Sequence, residues 1–460
     1  MVLQGAGENA APCIHLGRTP GKGEKLEMLT KEQRTYLRDL AKQVREISQH
    51  GIWEEKRRLW KKLNRLESER PMVMCIVTDE LWPELIPGDT LKIEDPFFKE
   101  IEFELRKRIY RWKYIKDDII TNDKLYLPID YAFTEWVENR RRPFAAGDPY
   151  KSDGKTAEAF HPCIFEYADW DRLVKKPELK YIDWAGTHKK AEMLGDTLGD
   201  LLEIVEGEPF FSSIDTRTKG WGMSGIDILC ELRGLEQVFM DMVLAPDFVH
   251  HAMDTLMEGL GAYLDVLEQE NLLRLNNNEF WKNTNTPLGS NGLGVSDELP
   301  GPDFDPEHVR ARDLWGYFQA QEFSGVSPEM LDEFVLQHQK PLAARFAMIG
   351  FGCCESNDKK YGVIRNAFPN LRQVSVSHAA DPALAARELG ADYSISWKPH
   401  CTIINDFDER YVRSYMEEGF QALAGCHFVC SLRDNLTLAG QNPDVMGRWT
   451  DIAMELAGGR

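Results

Sequence analysis

The heptapeptide Gly350-Phe351-Gly352-Cys353-Cys354-Glu355-Ser356 places two adjacent thiols and a carboxylate directly after the apolar run Phe346 to Ile349. Thiolates bind zinc well, and a carboxylate or imidazole can complete a four-coordinate shell in which a catalytic ion keeps one position open. Successive side chains on a strand face opposite sides. The spacing therefore predicts one thiol toward a site and one toward the wall, with Cys354 as the ligand. Gly350 and Gly352 free the backbone to bend just before it. The same residues also read as two small apolar side chains at the edge of a core, or as a redox pair, although no CxxC is present.

Other chemistry-bearing residues recur at comparable places. Glu322 precedes the helix start Ser327-Pro328, in a turn containing Gly325, and reads as a ligand or a general acid/base. His378 follows one apolar run, Lys398 and His400 follow another, and Asp434 follows a third. Lys398 reads as an electrostatic stabiliser or as the partner of Asp434. Residues 275–302 are rich in Asn, Gly, Ser and Thr and too long for a simple connection, which suggests a working loop. Within it Asn277, Asp297 and Glu298 are candidates to hydrogen-bond a substrate, and Trp281 to stack on an aromatic ring. A capping lid without chemistry is the plain alternative.

What must position these residues is a set of strands ending together. Apolar, β-branched runs end near Gly352, Ser377, Trp397 and Leu432, separated by helical segments at 358–368, 381–389 and 408–424. Such alternation indicates βαβ units and a parallel sheet. In a (β/α)8 barrel the C-terminal strand ends share one mouth. A Rossmann-like sheet would need a glycine-rich phosphate turn after its first strand; no GxGxxG stands there, and no GxxxxGK[ST] occurs. Upstream, residues 1–26 read as a flexible leader and 27–70 as a helical extension, with Leu37, Leu40, Val44 and Ile47 at helical spacing. The barrel is expected over 71–460, starting at the strand Pro71–Val77, with helices at 226–243 and 247–270. Cys75, Cys230 and Cys426 lie in apolar runs and are expected to pack.

Composition narrows the partners. Hydrophobic residues make up 43% of the chain, enough for a large core. The formal charge of −20 repels nucleic acid and anionic lipid, so neither is expected as a partner. No apolar run approaches the ~18 residues of a membrane span. Nine cysteines without a repeating spacing suggest a reduced, cytoplasmic protein.

GFGCCES, with FPNLRQVSVS, ADPALAARELGADYSISWKP and GCHFVCSLRD, resembles the C-terminal half of the uroporphyrinogen decarboxylase-like superfamily. WGYFQAQEFSGVSPEM, SNGLGVSDELPGP, GIWEEKRRLWKKLNRLESERPMV and GWGMSGIDILCELRGLEQVFMDMVLAPDFVHHAMD look like a branch found mainly in anaerobic bacteria beside corrinoid proteins. The resemblance runs from about residue 30 to the end. It implies a (β/α)8 TIM barrel of the decarboxylase type and one of two chemistries: cofactor-free decarboxylation, or zinc-dependent methyl transfer with a corrinoid protein. The decarboxylase motif close to RPxWxMRQAGR is replaced here by RPMVMCIVTDELWPEL, and no arginine cluster appears. The methyltransferases carry HxC late in the chain and a further cysteine near the last strand. Here the histidine is missing and Cys430 stands near the last strand, its direction open. Methyl transfer from a small O-methylated donor, a methoxyaromatic being favoured, to a partner's corrinoid is thus expected. Zinc would sit on Cys353, Cys354 and Glu322, with Glu355, Lys398 and Asp434 at the reaction and His378 beside the substrate. Transfer in reverse to a thiol or folate, a metal-independent lyase, and a non-catalytic corrinoid-protein adaptor are the alternatives.

Overall fold

The computed structural model describes residues 29–138, 162–210, 223–282 and 286–459; the leader expected at 1–26 lies outside them. Its strands are β1 (Met72–Cys75), β2 (Lys124–Leu127), β3 (Tyr131–Phe133), β4 (Leu179–Ile182), β5 (Glu203–Glu206), β6 (Trp315–Phe318), β7 (Met348–Phe351), β8 (Leu371–Val376), β9 (Ser394–Trp397) and β10 (His427–Leu432). Six of these form one wholly parallel sheet in the order β1-β10-β9-β8-β7-β6, in which the first strand pairs with the last. Strands β1, β6, β7 and β9 are buried at every position. That is the signature of a parallel sheet covered on both faces.

The connections are helical. Tyr361–Ala367, Pro382–Leu389 and Glu409–Ala422 join β7 through β10, and Val445–Leu456 follows β10. The Asp381 side chain accepts the Ala383 N–H, so the carboxylate caps the helix that Pro382 opens. The helix expected at 226–243 is two, Gly225–Arg233 and Leu235–Leu244, broken at Gly234. There φ is +93°, a conformation that an L side chain rarely adopts.

The period of two along β1 sorts its side chains. Val73, Cys75 and Val77 enter the main core. Met72, Met74 and Ile76 join Trp60, Leu293, Val295 and Val429 in a second cluster. Trp60 comes from the helix Ile52–Asn64, which follows Lys31–Ser48, so these N-terminal helices close one end of the sheet. Between β1 and β6, backbone hydrogen bonds lead from Val73 to Asp118 (2.9 Å), Leu127 to Gly207 (2.8 Å) and Arg274 to Phe210 (2.9 Å). The Asn276 carboxamide then bonds the backbone of Trp315 in both directions, at 2.9 and 3.0 Å. Among the described residues no helix is long and apolar enough to cross a membrane.

Candidate functional site

The site forms where β7, β8, β9 and β10 end, and its first determinant is a glycine. Gly352 adopts φ +94°, and a Cβ there would meet Asn357 Nδ2 and Ser375 Cβ at 3.0 Å. The chain leaves strand geometry at this point. Alternation therefore does not separate the two thiols, as the extended spacing predicted: Cys353 Sγ and Cys354 Sγ lie 3.6 Å apart. Ser290 Oγ–H donates to Cys353 Sγ at 3.5 Å, and Cys354 Sγ lies 3.6 Å from Asp434 Oδ2. The hydrogen bond from Cys354 holds the Cys353 thiol well below its ordinary range against the opposing effect of burial, assisted by the Lys398 and Arg433 charges. The same bond, with burial, pushes Cys354 up. Cys353 is thus the more acidic sulfur of the pair.

Lys398 is buried and fully engaged. Its Nζ donates to Ser290 Oγ (2.7 Å), Cys353 O (2.6 Å) and Ser375 Oγ (2.7 Å), which uses all three ammonium hydrogens. Burial lowers its proton affinity, while the Cys353 sulfur works the other way. Asp434 takes its ion pair from Arg433, whose Nε donates at 2.9 Å, rather than from Lys398. Burial acts to raise the Asp434 carboxyl, but Arg433 outweighs it and keeps the group below the usual carboxylate range. Asp434 has φ +60°, a backbone state that costs on the order of 1 kcal/mol in a non-glycine residue. His378 packs its ring 4.7 Å from that of His400, centroid to centroid, and burial, then His400, lower its proton affinity below the ordinary histidine value.

Three carboxylates stand behind the thiols. Glu355 is 1% exposed and spends its oxygens on backbone, accepting from Cys353 N–H at 2.7 Å and Ala320 N–H at 3.2 Å. It fixes the bend rather than facing outward. Glu322, half-buried on the short turn Gln321–Phe323 after β6, donates its N–H to Asp227 Oδ1 at 3.4 Å. Asp227 is wholly buried, accepts from Gln319 Nε2 at 2.8 Å, and is raised by burial to about 8. It therefore carries a proton at neutral pH. Burial and then Glu355 raise Glu322 as well. Sequence reasoning missed Asp227; the signal was an aspartate inside the otherwise apolar stretch Gly225-Ile226-Asp227-Ile228-Leu229.

The long loop is placed differently from the substrate-facing role predicted for it. Its described residues 286–296 are buried and thread along the inner face of the sheet. Asn291 O accepts Ser396 Oγ–H at 2.8 Å, Asn291 Nδ2 donates to Gly352 O at 3.2 Å, and Ser290 reaches Lys398 and Cys353. The candidates at the ends of the loop do not reach the thiols. Asn277 Nδ2 bonds Ser296 O and Leu299 O, and Trp281 stacks against Arg111 at 5.1 Å. Asp297 pairs with Arg65 and Glu298 with Arg372, near the starts of β1 and β8. A sheet interior that admits a polar segment had a sequence trace: serines at alternate positions, Ser375 and Ser377, Ser394 and Ser396, all buried. Cys430 is buried in the main core, raised by burial and by Cys75, and does not join the mouth. Cys75 and Cys230 are likewise buried, whereas Cys426 is partly exposed.

The expected zinc can be tested against these donors. The 3.6 Å edge from Cys353 Sγ to Cys354 Sγ is close to the ~3.7 Å that ~2.3 Å zinc–sulfur bonds impose in a tetrahedron. Catalytic zinc takes three protein ligands, and among the described residues no group of three His, Cys, Asp or Glu side chains is arranged to hold an ion. Glu322 lies with Asp227, not with the sulfurs. The expected ligand set does not come together as it stands.

No protein-family model matches the sequence, and no curated protein matches it. Among solved structures, the chain is similar to a methyltransferase from Methanosarcina mazei, with 10% identity, 87% of this chain and 98% of that one covered, and a TM-score of 0.43. A likeness of that size carries no argument about the reaction.

Proposed function

We propose that this chain is a methyltransferase that moves a methyl group from a small O-methylated donor, a methoxylated aromatic being favoured, to the cobalt of a corrinoid on a partner protein. We further infer that the parallel sheet curls into a closed TIM-type barrel; the pairing of first strand with last and the hydrogen bonds bridging β1 to β6 support this. The observation that carries the functional reading is the Cys353–Cys354 pair, flanked by Lys398 and Asp434, at the shared C-terminal ends of parallel strands. Catalytic groups in barrels collect at that face, and a methyl acceptor on a second protein would reach the donor there.

The chain's own residues divide the work. Lys398 and the Cys354 thiol hold negative charge at Cys353 Sγ, so the sulfur can bind or orient an electrophilic centre. Asp227 accepts the Glu322 N–H and so helps to fix the turn that presents half-buried Glu322, whose carboxyl, raised by burial, is the acid available to a departing oxygen. Glu355 and Gly352 fix the bend that brings both sulfurs to one side. The zinc implied by the resemblance finds two thiols here without the third protein ligand, so no step runs through it.

The test uses anaerobically purified full-length protein, a corrinoid protein reduced to cobalt(I), and a panel of methoxylated benzoates, followed by the absorbance change on methylation of cobalt. Methylation that is lost in Cys353→Ser and in Cys354→Ser supports the proposal. No methylation with any donor, while the protein still binds the corrinoid partner, favours the non-catalytic adaptor. Metal analysis of the same samples bears on zinc: one ion per chain, lost in Cys354→Ser, would show that a further ligand completes the thiol pair.

A further inference from the structure

Lys398 and Arg433 are buried cations beside the thiols, and they differ in what they have left to give. Every ammonium hydrogen of Lys398 is taken up by Ser290, Cys353 and Ser375. Arg433, directly after β10, is 7% exposed and gives its Nε to Asp434. Its Nη1 is fully buried and has no hydrogen-bond partner among the described residues. A buried guanidinium N–H without an acceptor costs more than a neutral orphan, because the charged donor has lost its water. Arginine also cannot escape by losing its proton. A fold keeps such a group where something else completes it.

The neighbourhood says what that would be. Arg433 Nε bonds Asp434 Oδ1 at 2.9 Å, and the other oxygen of that carboxylate lies 3.6 Å from Cys354 Sγ, so Arg433 belongs to the thiol mouth. Its one carboxylate partner, Asp434, engages Nε and leaves Nη1 over. A chain with formal charge −20 repels anions at long range. An anionic substrate would therefore need a dedicated cation, and one guanidinium matches one carboxylate rather than a polycarboxylate.

We propose that Arg433 is the substrate's anion receptor, and that the methyl donor is a small monocarboxylic acid whose carboxylate meets Arg433 Nη1 beside the Cys353–Cys354 pair. The methoxy group in this assignment rests on the methyl-transfer reading; the carboxylate does not. Inorganic phosphate offers the same acceptor chemistry, and the test separates the two.

The experiment is calorimetric titration of the full chain with 4-methoxybenzoate, with its neutral isostere 4-methoxybenzamide, and with inorganic phosphate. Wild type, Arg433→Gln and Arg433→Lys are compared, each checked for a native thermal transition. The wild type is expected to bind the acid better than the amide. Arg433→Gln should weaken the acid by about tenfold to a hundredfold, the usual worth of a charge-assisted bond, and leave the amide unchanged. Arg433→Lys keeps a cation for Asp434 and guards against a folding failure; it should fall between the two.

Equal affinity for acid and amide, an acid affinity indifferent to both substitutions, or no saturable binding of the acid would overturn the proposal. Tighter binding of phosphate than of the acid would also overturn it, by reassigning the group to phosphate. Arg433-dependent acid binding without any methyl transfer would leave this inference standing and remove the methyl-transfer reading. The converse would do the opposite.

Discussion

Two buried polar networks share this sheet, one alongside β1 and one beyond the ends of β7 to β10, and they are built to opposite rules. Alongside β1, Arg70 grips both oxygens of Asp118 at 2.8 Å, and Asp118 also accepts the Val73 N–H at 2.9 Å. Arg111 gives Nη2 to Asp117 at 2.6 Å and Nη1 to Cys75 O at 2.8 Å, while Asp117 accepts the Cys75 N–H at 2.6 Å. Lys56 reaches Asp117 O and lies 4.0 Å from Asp118. Each charge there has its counter-charge and its hydrogen bonds. At the mouth, Arg433 Nη1, Asn357 Nδ2 and Ser377 Oγ lack partners among the described residues, and burial raises Asp227 to about 8. The first network spends its polarity on folding. The second leaves part of it unspent, which is what binding and chemistry require.

The largest effect that sharpens this contrast is expected from Asp118→Ala. Removing the buried carboxylate strands partly buried Arg70 and buried Lys56, and breaking a buried pair in this way costs about 3–5 kcal/mol. Denaturant unfolding reads it. A loss under about 1 kcal/mol, the range of an exposed pair, would erase the distinction between the networks.

A pH-dependent effect of the opposite sign is expected at the mouth. The folded-state pKa of Asp227, about 8, is raised above its unfolded value. The native state therefore holds a proton that the unfolded chain has released, and stability falls as pH rises from the unfolded value toward 8. Asp227→Asn copies the protonated form. It should be nearly neutral near pH 4 and progressively stabilising relative to wild type up to about pH 8. Thermal unfolding across that window is the measurement; parallel curves for the two proteins would show that Asp227 is ionised in the fold.

The smallest effects belong to the loop carboxylates. Asp297→Ala and Glu298→Ala each remove a partly exposed ion pair, with Arg65 and Arg372 respectively. Each should cost no more than about 1 kcal/mol and leave methyl transfer unaltered. A loss of activity without a loss of stability would return these residues to the site.

Much of the scaffold was legible because it rests on local rules. Continuous apolar runs marked β1, β7, β8, β9 and β10, and Asp381-Pro382 and Ser327-Pro328 marked helix starts by cap chemistry alone; the Ser327 side chain does accept the Met330 N–H. The break at Gly234 was less legible, since an apolar helical period continues across it. The candidate site divided along the same line. Cys353, Cys354, Lys398 and Asp434 were found by their place after strands, and the structure brings them together. Asn277, Trp281, Asp297 and Glu298 were chosen because their loop was long, and length does not say which part of a loop turns inward.

The sequence by itself determined which residues end the strands, since apolar period and cap residues act over a few positions and need no distant partner. It also determined that two thiols would be neighbours. Only the tertiary structure decided that both sulfurs lie on one side, because that depends on Gly352 bending against Ser375 and Asn357. It alone brought Ser290 to Lys398 across 108 positions of chain, and it alone left one nitrogen of Arg433 without a partner among the described residues. Which charges are matched is a property of the packed interior, where distance in sequence counts for nothing and desolvation counts for most.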